Sequence, residues 1–290
     1  MAIRAMNVNP KKFDKTQIKF YLFLIPMATF MILPVVYIVN QAFKPIDELF
    51  MFPPRFFVRK PTFKNFVDLF RAASGTGVPM TRYLVNSILI TTIAIGLTLL
   101  ITTATAYALS KKEFKAKNTL FSINQMALMF VAIAVAIPRY LIIDMIGLND
   151  TFLVHIIPYL AMPVGLFLVK QFIDQVPNEL IEAAKIDGAG DWHILTKIII
   201  PLVKPALATV AILTFQMIWN NTESSNLYII TETKKTFSFY LTTLTANQAV
   251  SIAGAGMAAA AGLIMFLPNL LIFVIMQSRV MDTMSHSGIK

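Results

Sequence analysis

Six stretches of this 290-residue chain carry almost no charge for roughly 18 residues or more, and that pattern constrains its fold more than any other feature. They cover about 20–43, 83–110, 120–138, 151–169, 205–222 and 257–277. At about 1.5 Å of rise per residue, some 20 residues cross a hydrocarbon core of roughly 30 Å. A water-facing surface cannot be built around so much apolar chain: 57% of residues are apolar and 14% charged, against about 45–50% and about 25% in an ordinary soluble domain. The expected fold is an all-α membrane protein with six transmembrane helices. No repeat of 20–50 residues and no low-complexity linker divides the chain, so 1–290 reads as a single transmembrane domain.

The chain has no cysteine, which removes disulfides, thiolate nucleophiles and Cys-based metal sites, and its three histidines leave little for metal chemistry. The net charge of +10 falls in short clusters flanking the apolar runs, which reads as membrane topology and not as nucleic-acid binding. Arg4, Lys11, Lys12, Lys15 and Lys19 precede the first run, and Lys44, Arg55, Arg59 and Lys60 follow it almost as densely. That run is too long for the core of a cleaved signal, so it reads as an anchor. Orientation rests on the link between runs two and three, which holds Lys111, Lys112, Lys115 and Lys117, whereas the next link has only Arg139 before Asp144 and Asp150. The lysine-rich link is expected inside. Both termini and the loop between runs four and five are then cytoplasmic, and 44–82 and 223–256 lie outside.

The cytoplasmic loop 170–204 is too long for a turn and too patterned for disorder. Pro177 opens a first short helix, Glu179 and Glu182 sit in its early turns, and Gly188 suits a left-handed stop. Asp191 is expected to cap a second helix that ends near Pro201. Leu180, Ala183 and Ala184 form an apolar stripe with small residues at its centre, a shape that lets another protein approach the backbone. The plainer alternative is a loop that only caps its two spans.

Glu182, Ala183, Ala184, Gly188, Ile198 and Pro201, with Asp187 beside the glycine, stand at the spacing E-A-A, three residues, G, nine residues, I-x-x-P. This resembles the cytoplasmic signature of membrane subunits of binding-protein-dependent ABC importers; Ile200 stands where that pattern has Leu. RYLVNS around Asn86 and Ser87, AYALS at 106–110 and WNN at 219–221 extend the likeness to the carbohydrate branch, the maltose-permease small-subunit family. The resemblance implies a type I ABC importer permease (MetI-like) fold whose loop forms coupling helices seated in a cytoplasmic ATPase. It further implies a second, related permease subunit, two ATPase subunits carrying ATP and Mg, and an extracellular solute-binding protein. On that footing the chain, with no cofactor of its own, is a multi-pass subunit of a bacterial cell membrane that imports a carbohydrate, an oligosaccharide by family habit, through alternating access. The segment 223–256 would face the binding protein; a disordered connector is the alternative.

Polar and aromatic side chains within the runs are candidates to line a path, because unpaired polar groups facing lipid cost free energy. They are Asn86 and Ser87, Asn124 and Gln125, Phe215, Gln216, Trp219, Asn220, Asn221 and Asn269. Amides and flat rings suit a neutral sugar, yet the same amides commonly bond helix to helix, and Trp219 fits an interfacial belt. In the best-known sugar importer of the resembled family the partner subunit supplies most of the sugar site.

Other classes find less support. There is no GxxxxGK[ST] loop and no HExxH, and His155, His193 and His286 stand far apart, so a transport subunit is expected and not an enzyme. A secondary transporter or channel needs no ATPase, but such carriers place ionisable groups in the bilayer interior, whereas Arg139, Asp144 and Asp150 cluster toward the outer face. Gly254, Ala258 and Gly262 are spaced for close helix packing, Pro268 is expected to kink the last span, and Phe63, Phe66, Leu69 and Phe70 form the stripe of a short packing helix.

Overall fold

The computed structural model describes residues 17–71, 77–248 and 252–287; the basic residues Arg4, Lys11, Lys12 and Lys15 lie outside them. The principal helices are α1 (Ile18–Phe43), α2 (Lys64–Arg71), α3 (Met80–Lys111), α4 (Lys117–Ala127), α5 (Ala136–Met145), α6 (Pro163–Asp174), α7 (Asn178–Ile186), α8 (Asp191–Leu202), α9 (Lys204–Trp219), α10 (Phe237–Gln248) and α11 (Ile252–Ser287). No strand occurs among the described residues.

Among the described residues three helices are long and apolar enough to cross a bilayer alone: α1, α3 and the stretch Gly254–Ile275 of α11. Two more apolar runs are bent pairs. Phe152–Leu160 meets α6 at 47°, and α8 meets Lys204–Leu227 at 84°. The run 120–138, expected as one unbroken span, is in two pieces. The α4 ladder ends at Ala127, Val131 is extended (φ −79°, ψ 133°), and helix resumes through a 3-10 turn, Ala132–Val135, into α5. Pro138 falls in the first turn of α5, where its missing N–H forfeits no bond, so a restart just before it is the helical solution the sequence permits.

The bundle is built around α3, which packs on α6 and α9, while α11 packs on α1 and α9. Thr98, Thr102 and Thr103 on α3 are buried, and their short side chains let neighbours approach; Thr103 returns its hydroxyl to the Leu99 carbonyl at 2.6 Å, whereas the buried Thr98 hydroxyl finds no partner. A Cβ on Gly165 would stand 3.2 Å from Met162 Sδ and from Val210 Cγ1, which marks a close approach of α6 to α9. The small-residue face of α11 differs from expectation. Gly262 has no atom within 4 Å of a Cβ position, and the crowded glycine is Gly256, against Asn65 of α2. Leu69 of the expected α2 stripe is fully buried, while Phe63 remains exposed.

Two ends can be distinguished along α3. At the lysine end, Lys117 Nζ donates to the Ser110 carbonyl at 3.3 Å and brings α4 back beside the end of α3. At the far end, the segment after α9 is ordered helix and turn, and the alternative of a disordered connector is overturned for residues 223–248. Phe237 and Tyr240 are buried there, and Tyr240 stacks on Tyr83 of α3 at 4.9 Å.

Candidate functional site

At the lysine end, α7 and α8 form a bent pair with two unlike faces. Ile181, Ile194, Leu195 and Ile199 are buried in a cluster with Ala106 and Tyr107 of α3 and Val169 and Ile173 of α6. Each such burial is worth about 1.5–3 kcal/mol relative to exposure, which makes the pair a fixed part of the bundle. The opposite face is open: Leu180, Glu182, Ala183, Ile186, Asp187 and Trp192 are all exposed, Ile186 to 86% and Trp192 to 64%. Ala184 of the expected stripe turns inward and packs on the cluster. Ile186 and Trp192, which periodicity did not single out, take its place on the open face.

The angle between the helices is set at Gly188, whose φ of +83° is a left-handed conformation that favours glycine. Its N–H donates to the Lys185 carbonyl at 3.0 Å and the Ala189 N–H to the Ala184 carbonyl at 2.9 Å, the two bonds of a Schellman stop. The helix after it does not carry the expected cap. Asp191 is the first helical residue, Gly190 precedes it, and no side chain caps the turn. The Asp191 carboxylate is taken instead by Lys112 Nζ at 2.5 Å, a charge-assisted bond that outcompetes a neutral local cap. Ile198 lies half-buried in a π-helical turn, Leu195–Ile199, and Pro201 is exposed just before the 84° corner into α9. Single π turns of this kind occur often at functional sites.

Three consecutive residues ending α3 hold this loop. Ser110 donates to Asp174 Oδ1 at 2.5 Å, Lys111 donates to the Val176 carbonyl at 2.6 Å and to Asn178 Oδ1 at 2.9 Å, and Lys112 binds Asp191. The lysines that signal topology in the sequence are thus also structural clamps. Beside them a cleft of about 330 Å³ opens between the end of α6, Leu180 and the α8–α9 corner, lined by Phe172, Val176, Pro177, Leu202 and Pro205.

The far end is tied by a second set of polar contacts, and several path candidates belong to it. Asn86 is buried, and its amide donates to the Thr233 and Lys235 carbonyls at 2.8 and 2.9 Å. Ser87 accepts the Phe237 N–H at 2.8 Å. Asn221 accepts the Ser224 N–H through Oδ1 at 2.9 Å. His155 is buried between the Ser224 hydroxyl, 2.8 Å from Nδ1, and the Lys234 carbonyl, 3.1 Å from Nε2. Because that carbonyl only accepts, Nε2 carries the proton and Ser224 donates to Nδ1. Arg139 pairs with Glu223.

Asp150 is the hub of this end. It accepts the Thr231 N–H at 2.9 Å, the Thr231 hydroxyl at 2.5 Å and Lys234 Nζ at 3.2 Å. The Thr231 bonds, followed by Lys234, hold its carboxyl at about 2, below the ordinary 3.8. This contribution to stability is complete above pH 3.8 and is lost as the pH falls through about 2. Thermal unfolding of detergent-solubilised protein checks it: Asp150→Asn is expected to melt lower at neutral pH and to show a smaller loss between pH 4 and 2 than the parent, roughly the interval separating the two pKa values.

The remaining path candidates fall into a group on α9 and α11 and a separate pair, Asn124 and Gln125, on α4. Phe215 stacks on Trp219 at 5.6 Å, and both border an almost wholly apolar groove of about 570 Å³ between α3, α9 and α11. The Trp219 indole donates to the Met265 carbonyl at 3.0 Å, one turn before Pro268, through which α11 continues as helix. Gln125, Gln216 and Asn220 are exposed, and Asn269 reaches Asn220 Oδ1 at 3.4 Å. Asn124 donates to the Pro163 carbonyl at 3.2 Å.

The described residues form a helical bundle with a clamped, outward-presented helix pair at one end. Residues 101–278 match the family model described as "Binding-protein-dependent transport system inner membrane component". The chain belongs to this family of multi-pass transport permeases, which are not enzymes. It is 34% identical over 208 residues to Protein LplC of Bacillus subtilis, covering 72% of this chain and 68% of that one. The trehalose transport system permease protein SugB of Mycobacterium tuberculosis is 28% identical over 261 residues, 89% of this chain and 92% of that one. A chain of a bacterial ABC transporter involved in the import of the acidic polysaccharide alginate shares the fold, with a TM-score of 0.80 at 21% identity over 93% of this chain and 99% of that one.

Proposed function

We propose that this chain is one of two related but different permease subunits of an importer that moves a carbohydrate, an oligosaccharide by preference, into the cytoplasm by alternating access. Two separate ATPase chains, which carry the ATP and Mg, drive it, and an extracellular solute-binding protein delivers the solute to the far end. The chain holds no cofactor of its own. The lysine end faces the cytoplasm and both termini lie on that side, as the excess of basic residues at 111–117 supports. The carbohydrate class is supported by relatives named for trehalose and for galactooligosaccharides, the latter 29% identical over 275 residues.

The observation that carries this reading is the two-faced helix pair. Its inner face is built into the bundle and its outer face exposes Leu180, Ile186 and Trp192 around Glu182 and Ala183. Apolar side chains gathered on an exposed helix mark a protein interface, and small residues at its centre let a groove close on the backbone. Movement imposed there passes through Gly188 and the 84° corner into α9.

Reconstitution of the complete complex in proteoliposomes tests the proposal. Glu182→Lys and Leu180→Asp alter exposed positions, so thermal stability should match the parent. Binding-protein-stimulated ATP hydrolysis and uptake should each fall roughly ten-fold or more, as for an interface hot spot. Coupled transport at the parental rate in both variants would overturn the assignment.

A further inference from the structure

Topology does not explain the basic residues that follow α1, because a membrane chain keeps its excess of basic groups to one side and the lysine end already holds that excess. Residues 44–62 lie at the far end, where Asn65 ties the end of α1 to α2 and meets Gly256 of α11. Thr62 donates its N–H to the Phe43 carbonyl at 2.8 Å, so the segment closes into a loop on the last turn of α1. Its polar groups turn inward. Lys44 is buried and donates to the Arg55 carbonyl, and Glu48, also buried, accepts the Arg59 N–H at 3.0 Å and the Lys60 N–H at 2.8 Å. Pro53, Pro54 and Pro61 have no N–H to satisfy. The Arg59 and Lys60 side chains are left exposed, with no ion pair among the described residues.

The loop also doubles back along α1. Asn40 Oδ1 accepts the Val58 N–H at 3.0 Å, the Phe56 ring lies 5.8 Å from that of Tyr37, and Phe57 lies edge-on to Phe56 at 5.0 Å. From Phe20, where the first apolar run begins, α1 rises about 26 Å to Tyr37 and about 30 Å to Asn40, which sets both near the boundary of a hydrocarbon core of roughly 30 Å. Tilting α1 brings them deeper still. Phe50, Met51, Phe52 and Phe57 are exposed on the same loop, Phe52 to 95% and Phe57 to 67%. No residue in the most apolar 18-residue window of α1 is buried either, so the exposed apolar surface of the span continues into the loop.

These observations select the occupant. Water disfavours four large apolar side chains, and hydrocarbon disfavours Arg59 and Lys60. A soluble protein docked on the far end does not reach rings packed against Tyr37 at the core boundary. The headgroup layer accepts every part, with rings at the acyl boundary, cations on phosphate and backbone groups paired inside the loop. We infer that residues 50–60 form an interfacial anchor, which beds Phe50, Met51, Phe52 and Phe57 in the phospholipid leaflet at the far end and sets Arg59 and Lys60 against its phosphates. The inference goes beyond the importer reading and takes from it only that this leaflet is the outer one. Such an anchor fixes the height of the end of α1 in the bilayer and, through Asn65, that of α2.

Spin labels on introduced cysteines test it in the complete complex, reconstituted in vesicles of phosphatidylethanolamine and phosphatidylglycerol. This chain has no native cysteine, and the partner chains are used free of reactive ones. Labels at Phe52→Cys and Phe57→Cys are compared with Phe30→Cys in the middle of α1 and Ile230→Cys, exposed on the far-end segment. Collision with oxygen, which concentrates in lipid, is read against collision with a water-soluble nickel chelate. The oxygen-to-nickel ratio at 52 and 57 is expected to be several-fold above that at 230 and below that at 30. A ratio equal to that at 230 puts the loop in water, and weak collision with both reagents puts it under protein; either overturns the anchor. Arg59→Gln combined with Lys60→Gln leaves the backbone bonds to Glu48 in place, so the loop keeps its shape. Nickel collision at 57 should then rise two-fold or more, and an unchanged rate overturns the phosphate contact. The readout needs no nucleotide, so a failure of ATPase coupling is distinguishable from a failure of the anchor.

Discussion

Replacing Gly188 by valine is expected to lower ATP-driven uptake by about an order of magnitude or more while leaving the fold intact. A left-handed residue with a Cβ costs roughly 1–2 kcal/mol, and a β-branched one is a marked outlier. No heavy atom lies within 4 Å of a Cβ at this position, so the cost is entirely in the backbone. The chain relieves it by leaving φ +83°, which breaks the paired bonds to Lys185 and Ala184 and reorients one helix against the other. Ile194, Leu195 and Ile199 hold α8 in the bundle core against the single buried Ile181 of α7, so the helix that yields is α7, which carries Glu182 and Ala183. Gly188→Asn separates strain from volume, because asparagine tolerates the left-handed region. It should transport at close to the parental rate in the same proteoliposomes, with thermal unfolding of both variants near the parent. Equal uptake by the valine variant would show that the turn angle does not govern coupling.

That turn was legible in the sequence because its constraint is local: acidic residues in an early turn, a short helix, then a glycine where only a left-handed residue closes the stop. The long spans were legible for a similar reason. α1, α3 and the body of α11 follow from unbroken apolar runs, and their ends fall within a few residues of the charge pattern. What the sequence hid depends on partners distant along the chain. Lys112 reads as a topology signal because nothing local reveals Asp191, 79 residues away, and Asp191 reads as a cap for the converse reason. Asn86 reads as a path residue because an amide in an apolar helix looks the same whether it serves a solute or the carbonyls of Thr233 and Lys235. The break after Ala127 is announced by no glycine, and the proline that positions it comes later, at 138.

The polar contacts at the two ends of α3 give that helix a consistent role. Ser110, Lys111 and Lys112 fix the helix pair at one end, and Tyr83, Asn86 and Ser87 fix the segment 232–237 at the other, with Tyr83 donating to Glu232 at 2.7 Å. A span tied at both ends to the two regions proposed to dock partners is suited to transmit a rigid-body movement between them.

Gly256→Ala is expected to destabilise the protein by roughly 2–4 kcal/mol, from the loss of two buried amide–carbonyl bonds and the stranding of their groups. A Cβ there would stand 2.6 Å from Asn65 Oδ1 and 2.9 Å from Nδ2. Asn65 is not a free side chain that can step aside. It is 5% exposed and donates to the Ala42 carbonyl at 2.9 Å and the Lys44 carbonyl at 2.7 Å, tying α2 to the end of α1. The methyl must therefore break that tie or push α11 outward. Gly262→Ala in the same helix meets no atom within 4 Å and should stabilise by about 0.5–1 kcal/mol through helix propensity alone. A double-mutant cycle isolates the cause: in an Asn65→Ala background the contact with Asn65 is gone, and Gly256→Ala should then be neutral to stabilising, by up to the same helix-propensity gain as Gly262→Ala. Thermal unfolding in detergent reads all four variants. A Gly256→Ala protein as stable as the parent, or equally destabilised with and without Asn65, would refute the contact as the reason glycine occupies that position.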